Sequence, residues 1–347
     1  MFRGIQRQSL QRSESAAFSE SYMIARRWLS VLGVLCLVAS CQPAAQHYPS
    51  HTITVVVPNV PGGPSDLFAR WIGDLMSKEL GQQIIIENVG GASGTIGTSR
   101  VAEAAPDGYT LLVHNITFAA APALYKKRTY DPLKDFDPIG LATQTPQVIV
   151  TKKAITAKDL RELIAYVKTN QQTINLADAG QGSASYLCNA FFAQAIGVSL
   201  TAISYRGMAP ALNDLLGGQV DLMCDQVANT AEQIRTGNIK AYCVTTRERL
   251  EQLPHVPTCG EAGLPLLETS VWLALLGPRG MPQDVVAKLA FALRKALHDP
   301  ALARQLAKLA TTPVSDDLAT PDGLSAYLKM EVDRWSRTLN AMHVAPE

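Results

Sequence analysis

The chain has 347 residues, 47% of them apolar and 18% charged, with a formal net charge of +1. That composition is globular and too apolar for wholesale disorder, and the length fits two domains of roughly 150 residues. No Lys/Arg block lies beyond the N-terminus, so the electrostatic footprint of a nucleic-acid binder is missing.

The N-terminus has the layout of a secretory signal. Arg26 and Arg27 precede an apolar run from Trp28 to Val38, and small residues follow at Val38-Ala39-Ser40-Cys41. The run is too short for a membrane span of about 20 residues, and no later segment is long and apolar enough to be one. The expected targeting segment is 1–45, with the true start at Met23 or a long basic leader upstream of it. Val-Ala-Ser-Cys resembles a lipoprotein box with Cys41 as the acylated residue; plain cleavage after Ala45 is the alternative. Membrane contact would come only through that anchor, which holds firmly because more than one chain is attached.

From Ile53 onward strands and helices alternate. Ile53–Val57 is a β-branched run, and the Pro/Gly turn Pro58–Ser65 leads into a helix over Asp66–Leu80. Its expected apolar stripe is Leu67, Trp71, Leu75, Met76 and Leu80, and Gly81 stops it. Ile84–Ile86 is a strand, Thr95 caps a helix reaching Ala105, and Leu111–Val113 is a strand. Val148–Val150 opens a second set, followed by a helix from Thr156 or Ala157 to Lys168. Strands at Ile174–Ala177, Leu200–Tyr205, Val220–Cys224 and Lys240–Thr245 alternate with helices at Ser185–Ile196 and Pro210–Leu216 and a short one after Cys224. Helices at Val285–Leu297, Ala301–Leu309 and Gly323–Leu339 close the chain. Repeated β-α-β units imply mainly parallel sheets flanked by helices.

In such sheets ligands sit beyond the carboxyl ends of strands, where loops enter helix N-termini. Gly-rich segments occupy those positions: Pro61-Gly62-Gly63-Pro64-Ser65-Asp66, Gly90-Gly91-Ala92-Ser93-Gly94, Gly180-Gln181-Gly182-Ser183 and Arg206-Gly207. Glycine lets backbone N–H groups approach a guest, and each helix start adds unpaired N–H donors and partial positive charge, about 0.3–1 kcal/mol apiece. Several together could hold a carboxylate without Arg or Lys. Asp66 fits either water orientation beside that site or a plain first-turn acid.

Catalytic signatures are missing: there is no G-x-x-x-x-G-K-[ST], H-E-x-x-H, G-x-S-x-G or G-x-G-x-x-G, and the six His are scattered. No cofactor or metal site is expected. His114, at a strand end, is the one histidine near the presumed cleft, and an enzyme reading would need it with Asp66. Cys188, Cys224, Cys243 and Cys259 could form disulfides in any of three pairings or remain buried thiols, and their spacing does not choose.

In order along the chain stand Pro-Gly-Gly-x-x-Asp-x-x-Ala-Arg at Pro61–Arg70, Glu87-Asn88 with Gly-Ala-x-Gly-x-x-Gly ending at Gly97, and Val101-Ala-x-Ala-x-Pro-Asp-Gly-Tyr-Thr-Leu111. Tyr205-Arg-Gly-x-x-Pro-Ala-Leu-x-Asp-Leu-Leu-x-Gly-Gln-Val-Asp221, Pro257-Thr and Glu261-Ala-Gly-Leu-Pro follow. Over Ile53–Leu339 the chain resembles the Bug (Bordetella uptake gene-type) periplasmic substrate-binding proteins of tripartite tricarboxylate transporters. It departs from their pattern at Asn59, where an aromatic is common, at Ser93 (Gly) and at Tyr186 (His).

The resemblance implies a two-lobed Venus-flytrap fold of the type II-like periplasmic-binding class, without catalysis. Lobe 1 would be 51–147 plus 265–347, and lobe 2 148–264, with crossings near Leu141–Val150 and Leu253–Thr269. Carried over by motif, Gly62, Gly63, Ser65, Asp66 and Asn115 would bind from one lobe, and Gly182, Ser183, Gly207 and Asp225 from the other. The guest would be a small carboxylic acid, the partners membrane permease subunits, the protein a periplasmic monomer. A ligand-sensing component of an extracytoplasmic signalling system is the second reading.

Overall fold

The computed structural model describes residues 48–91, 94–125 and 129–341. The expected targeting segment, Met23, Cys41 and Ser93 lie outside them. The body described below is the compact unit His51–Glu347.

Strand β1 (Ile53–Val57) is β-branched at every position and nearly all buried, the continuous pattern of a strand covered on both faces. It pairs in parallel with β2 (Ile84–Asn88) and β3 (Thr110–Asn115). Between them run α1 (Pro64–Leu80) and α2 (Thr95–Ala102). α1 starts on a Pro at its first turn and stops at Gly81, whose φ of 70° lets its N–H reach the Ser77 carbonyl. Its buried face is Phe68, Ile72, Met76 and Leu80, so Met76 and Leu80 of the expected stripe are buried while Leu67, Trp71 and Leu75 are only half-buried. Its apolar residues often fall side by side, as at Leu67-Phe68, Trp71-Ile72 and Leu75-Met76, so spacing alone fits two neighbouring i, i+4 rows. α2 begins after Gly94, in the left-handed region at φ 88°, which takes the capping position expected of Thr95.

Helix α3 (Ile116–Leu124) is apolar except for Thr117 and has no stripe; all of it but Thr117 and Pro122 is buried. Strand β4 (Phe136–Lys152) is far longer than the Val148–Val150 run, despite Pro138, Gly140 and Pro146. Two register shifts, between Pro138 and Gly140 and between Leu141 and Thr143, interrupt its pairing with β9 (Ser270–Pro278). From Phe136 to Pro146 it pairs with β9. From Gln147 to Thr151 it pairs antiparallel with β7 (Leu222–Gln226), and from Val148 to Lys152 also with β8 (Ile239–Val244). One strand thus runs through both lobes.

The lobes share a plan. The first has the order β2-β1-β3-β9-β4, the second β6-β5-β7-β4-β8, where β5 (Asn175–Asp178) pairs in parallel with β6 (Thr201–Ser204) and β7. In each, parallel strands stand beside one antiparallel strand that enters from the other lobe, so both sheets are mixed. Helices α4 (Leu160–Thr169), α5 (Ala184–Ile196), α6 (Met208–Leu216) and α7 (Val227–Arg235) cover the second sheet. One of its cores gathers Leu160, Leu163, Val167 and Phe192, another Val148, Ala211, Leu215 and Val227. The chain then returns through β9, α8 (Gln283–Leu297), α9 (Pro300–Lys308), the short β10 (Thr312–Pro313) and α10 (Pro321–Ala341). α10 packs on α3 and β4, and Trp272, Trp335, Phe118 and Phe136 fill the core between them.

Two disulfides resolve the cysteine question: Cys188–Cys224 ties α5 to β7, and Cys243–Cys259 ties β8 to the loop beyond it. Among the described residues no helix is long and apolar enough to cross a membrane.

Candidate functional site

A cavity of about 340 Å³ lies where loops of the two lobes face each other. Five helices begin on its wall. Their capping residues are Gly63 of α1, Asn115 of α3, Ser183 of α5, Gly207 of α6 and Gln226 of α7, and all five line it. A helix start leaves its first N–H groups without intrahelical acceptors and carries about half a positive charge. Five such starts bring backbone donors and partial positive charge to the wall, and among the described residues no Lys, Arg or His lines it.

Each helix start is built by its own sequence. Asn115 Oδ1 accepts from the Thr117 N–H (3.0 Å) and hydroxyl (2.8 Å), so the residue caps α3 from the end of β3. Ser183 Oγ accepts from the Tyr186 N–H at 3.1 Å and lies 3.1 Å from Ser185 Oγ, which in turn accepts from the Ala179 N–H. Gly207 has φ 107°, a conformation strained for any side chain, where the chain turns into α6. On the first lobe, Ser65 is buried on the wall.

Asp66, Gly62 and Gly182 do not line the cavity. Asp66 Oδ2 accepts from the Gly62 N–H (2.8 Å) and from Arg70 Nε (3.1 Å), so the carboxylate clamps the Pro-Gly-Gly loop. Burial works against its charge, but the hydrogen bonds from Arg70, Gly62 and Asn88 outweigh that and hold the carboxyl below its usual range. Gly182 lies beneath Tyr125 and Leu124 at the end of α3; a Cβ there would come 2.8 Å from the Tyr125 hydroxyl. The glycine is what lets the two lobes approach at this edge.

Asp225 lines the cavity and is 1% exposed. Burial pushes its carboxyl up to about 7, only partly countered by the Gln226 N–H (2.7 Å) and by Asn229 Nδ2 at 3.1 Å from both oxygens. His114 does not line the cavity. It is buried, its Nδ1 accepts from the Asn115 N–H at 2.8 Å, and burial lowers it to about 3, so it stays neutral. That removes the base an enzyme reading needed.

Sequence reasoning passed over Gln147, Thr145, Thr117 and Gln226, which also line the cavity, and noted Asn59 only as a departure. Gln147 had a readable signal, an isolated amide opening the buried run Val148-Ile149-Val150, but the strand it belongs to was not recognised.

The family model described as tripartite tricarboxylate transporter family receptor matches residues 68–343. The protein of the TAR-I ttuE-ttuC' intergenic region of Agrobacterium vitis is 42% identical over 314 residues, 90% of this chain and 91% of that one. Among solved structures, the periplasmic binding protein BugD is 42% identical with a TM-score of 0.74, covering 86% of this chain and 100% of its own. MatC from Rhodopseudomonas palustris, solved with bound malate, is 41% identical with a TM-score of 0.74, covering 84% and 100%. The two-lobed fold, the matched motifs and these likenesses agree: the chain belongs to the tripartite tricarboxylate transporter receptor family, of the Bug type, whose members are extracytoplasmic solute-binding receptors and not enzymes.

Proposed function

We propose that this protein captures a small carboxylate-containing solute in the cavity between its lobes and hands it to the membrane subunits of a tripartite tricarboxylate-type transporter. The observation that carries this reading is the meeting of five helix N-termini on a wall without a described cation. Their backbone donors suit the oxygens of a carboxylate and cost no desolvation of a Lys or Arg. The malate in MatC is a guest of the same chemical class.

Gly63, Ser65, Asn115, Ser183, Gly207 and Asp225 are the proposed contacts, while Gly62, Asp66 and Gly182 set the shape of the loops. Lobe 1 is taken as 51–147 plus 265–347 and lobe 2 as 148–264; because contacts come from both, the guest favours the closed arrangement. The working place is the periplasm, where oxidation sustains the two disulfides. Export would use the 1–45 segment, with Cys41 as the lipid attachment point.

A thermal-shift screen of mono-, di- and tricarboxylic, amino and aromatic acids tests the reading. An acid at 100-fold over its Kd stabilises by about 2.7 kcal/mol and raises Tm by several degrees. If no acid in the screen moves Tm, the carboxylate reading fails.

A further inference from the structure

The cavity holds acceptors as well as donors. Gln147 is 1% exposed, and its Nε2 donates to the Ala184 carbonyl at 3.2 Å. A carbonyl accepts only, so the amide cannot turn round, and Oε1 is left buried without a partner among the described residues. Asn59 Oδ1, across the cavity on the first lobe, is in the same condition. Asp225 Oδ2 has only the Asn229 amide, which it shares with Oδ1. A simple carboxylic acid presents acceptors and would satisfy the helix N-termini while leaving these oxygens unpaired.

We infer that the guest is a carboxylate that also carries a hydrogen-bond donor, a hydroxyl or ammonium group on its carbon skeleton, and that Gln147 and Asp225 select for it. This rests on the carboxylate reading above. Asp225 is the one ionisable group on the wall among the described residues, and no described cation balances it there. A donor from the guest would give Oδ2 a partner it does not share. Near neutral pH the residue can meet that donor as the anion. Gln147 lies on β4 where the strand changes partners from β9 to β7, so it reads the guest at the junction of the lobes.

Titration calorimetry on matched skeletons tests this: propionate, lactate and alanine; succinate, malate and aspartate; glutarate, 2-hydroxyglutarate and glutamate. The readout is the affinity ratio within a set, because damage to the fold weakens all its members alike. In each set that binds, a donor-bearing acid is expected to bind about tenfold or more tighter than the bare one. Gln147→Met should bring that ratio close to one. Asp225→Asn should lower it too, most for the ammonium member; an unchanged ratio for both members overturns the part assigned to Asp225. Equal or tighter binding of the bare acids, or ratios that neither substitution moves, overturns the inference and leaves carboxylate capture standing. Absence of binding by every acid in these sets and in the wider screen overturns both.

Discussion

Asp225 sits in the folded chain with its carboxyl raised from 3.8 to about 7 by burial. The folded state therefore binds its proton more tightly than the unfolded chain does. The stability this contributes is full below about pH 4 and is lost as pH rises through about 7. On the order of 1.4 kcal/mol accompanies each tenfold change in proton affinity, so the loss amounts to a few kcal/mol. Melting curves of the wild type and Asp225→Asn from pH 5 to pH 8 check this: the wild type should lose stability relative to the variant as pH rises. Parallel curves would mean that the carboxyl titrates in its ordinary range. Asp66 works in the other direction, since its hydrogen bonds favour the anion. Asp66→Ala frees the Gly62 N–H and Arg70 and should weaken ligand binding through a loosened loop, without removing a contact to the guest. Calorimetry with and without the substitution reads that loss.

At the scale of elements, α10 is fastened to β9 by one buried carboxylate. Glu331 Oε2 accepts from Trp272 Nε1 at 2.9 Å and Trp335 Nε1 at 3.2 Å, and Oε1 lies 3.0 Å from an Arg334 nitrogen. Glu331→Leu strands two buried indole N–H groups and should cost roughly 2–5 kcal/mol, read by denaturant unfolding; a cost below about 1 kcal/mol would contradict the brace. Each disulfide closes a loop, over sequence separations of 36 and 16, so replacing either pair with Ala should cost about 3–4 kcal/mol on the chain-entropy view. The elements legible in the sequence were those with a period or a stop signal: β1 from its β-branched run, α1 from its spacing and Gly81. α3 was not legible, because an almost wholly apolar segment has no stripe to find, and neither was the first half of β4, whose prolines and glycine look like breakers until β9 supplies a partner tolerant of register shifts. The site followed the same division. Gly63, Ser183 and Gly207 announced themselves as turn residues before helices, whereas Gln147 was hidden inside the strand that went unread. Asn115 and Asp225 came from family resemblance, since a polar residue at a strand end has no local signature.

For the molecule as a whole, two crossings join the lobes: β4, and the return through Thr245 to β9. Beyond the end of their ladder, Thr245 binds them together. The Thr245 N–H donates to the Gln147 carbonyl (2.9 Å), its Oγ1 donates to the Thr269 carbonyl (2.6 Å), and the Thr269 N–H donates back to Thr245 (3.1 Å). Closure of the lobes on a guest, as proposed, would concentrate rotation at these few residues, beside the cavity wall. Solution scattering should therefore register a smaller radius of gyration when a tight-binding acid is added. Gly182→Ala, which sets a methyl group against Tyr125, should weaken that compaction and the affinity together.

The crystal structure of the complex with the acid giving the largest thermal shift tests the central claim most directly. The account predicts a carboxylate in the 340 Å³ cavity, its oxygens about 2.7–3.2 Å from backbone N–H groups at the start of α1 and of at least one of α5, α6 and α7. A guest held instead by Lys or Arg side chains, or bound outside this cavity, would contradict it.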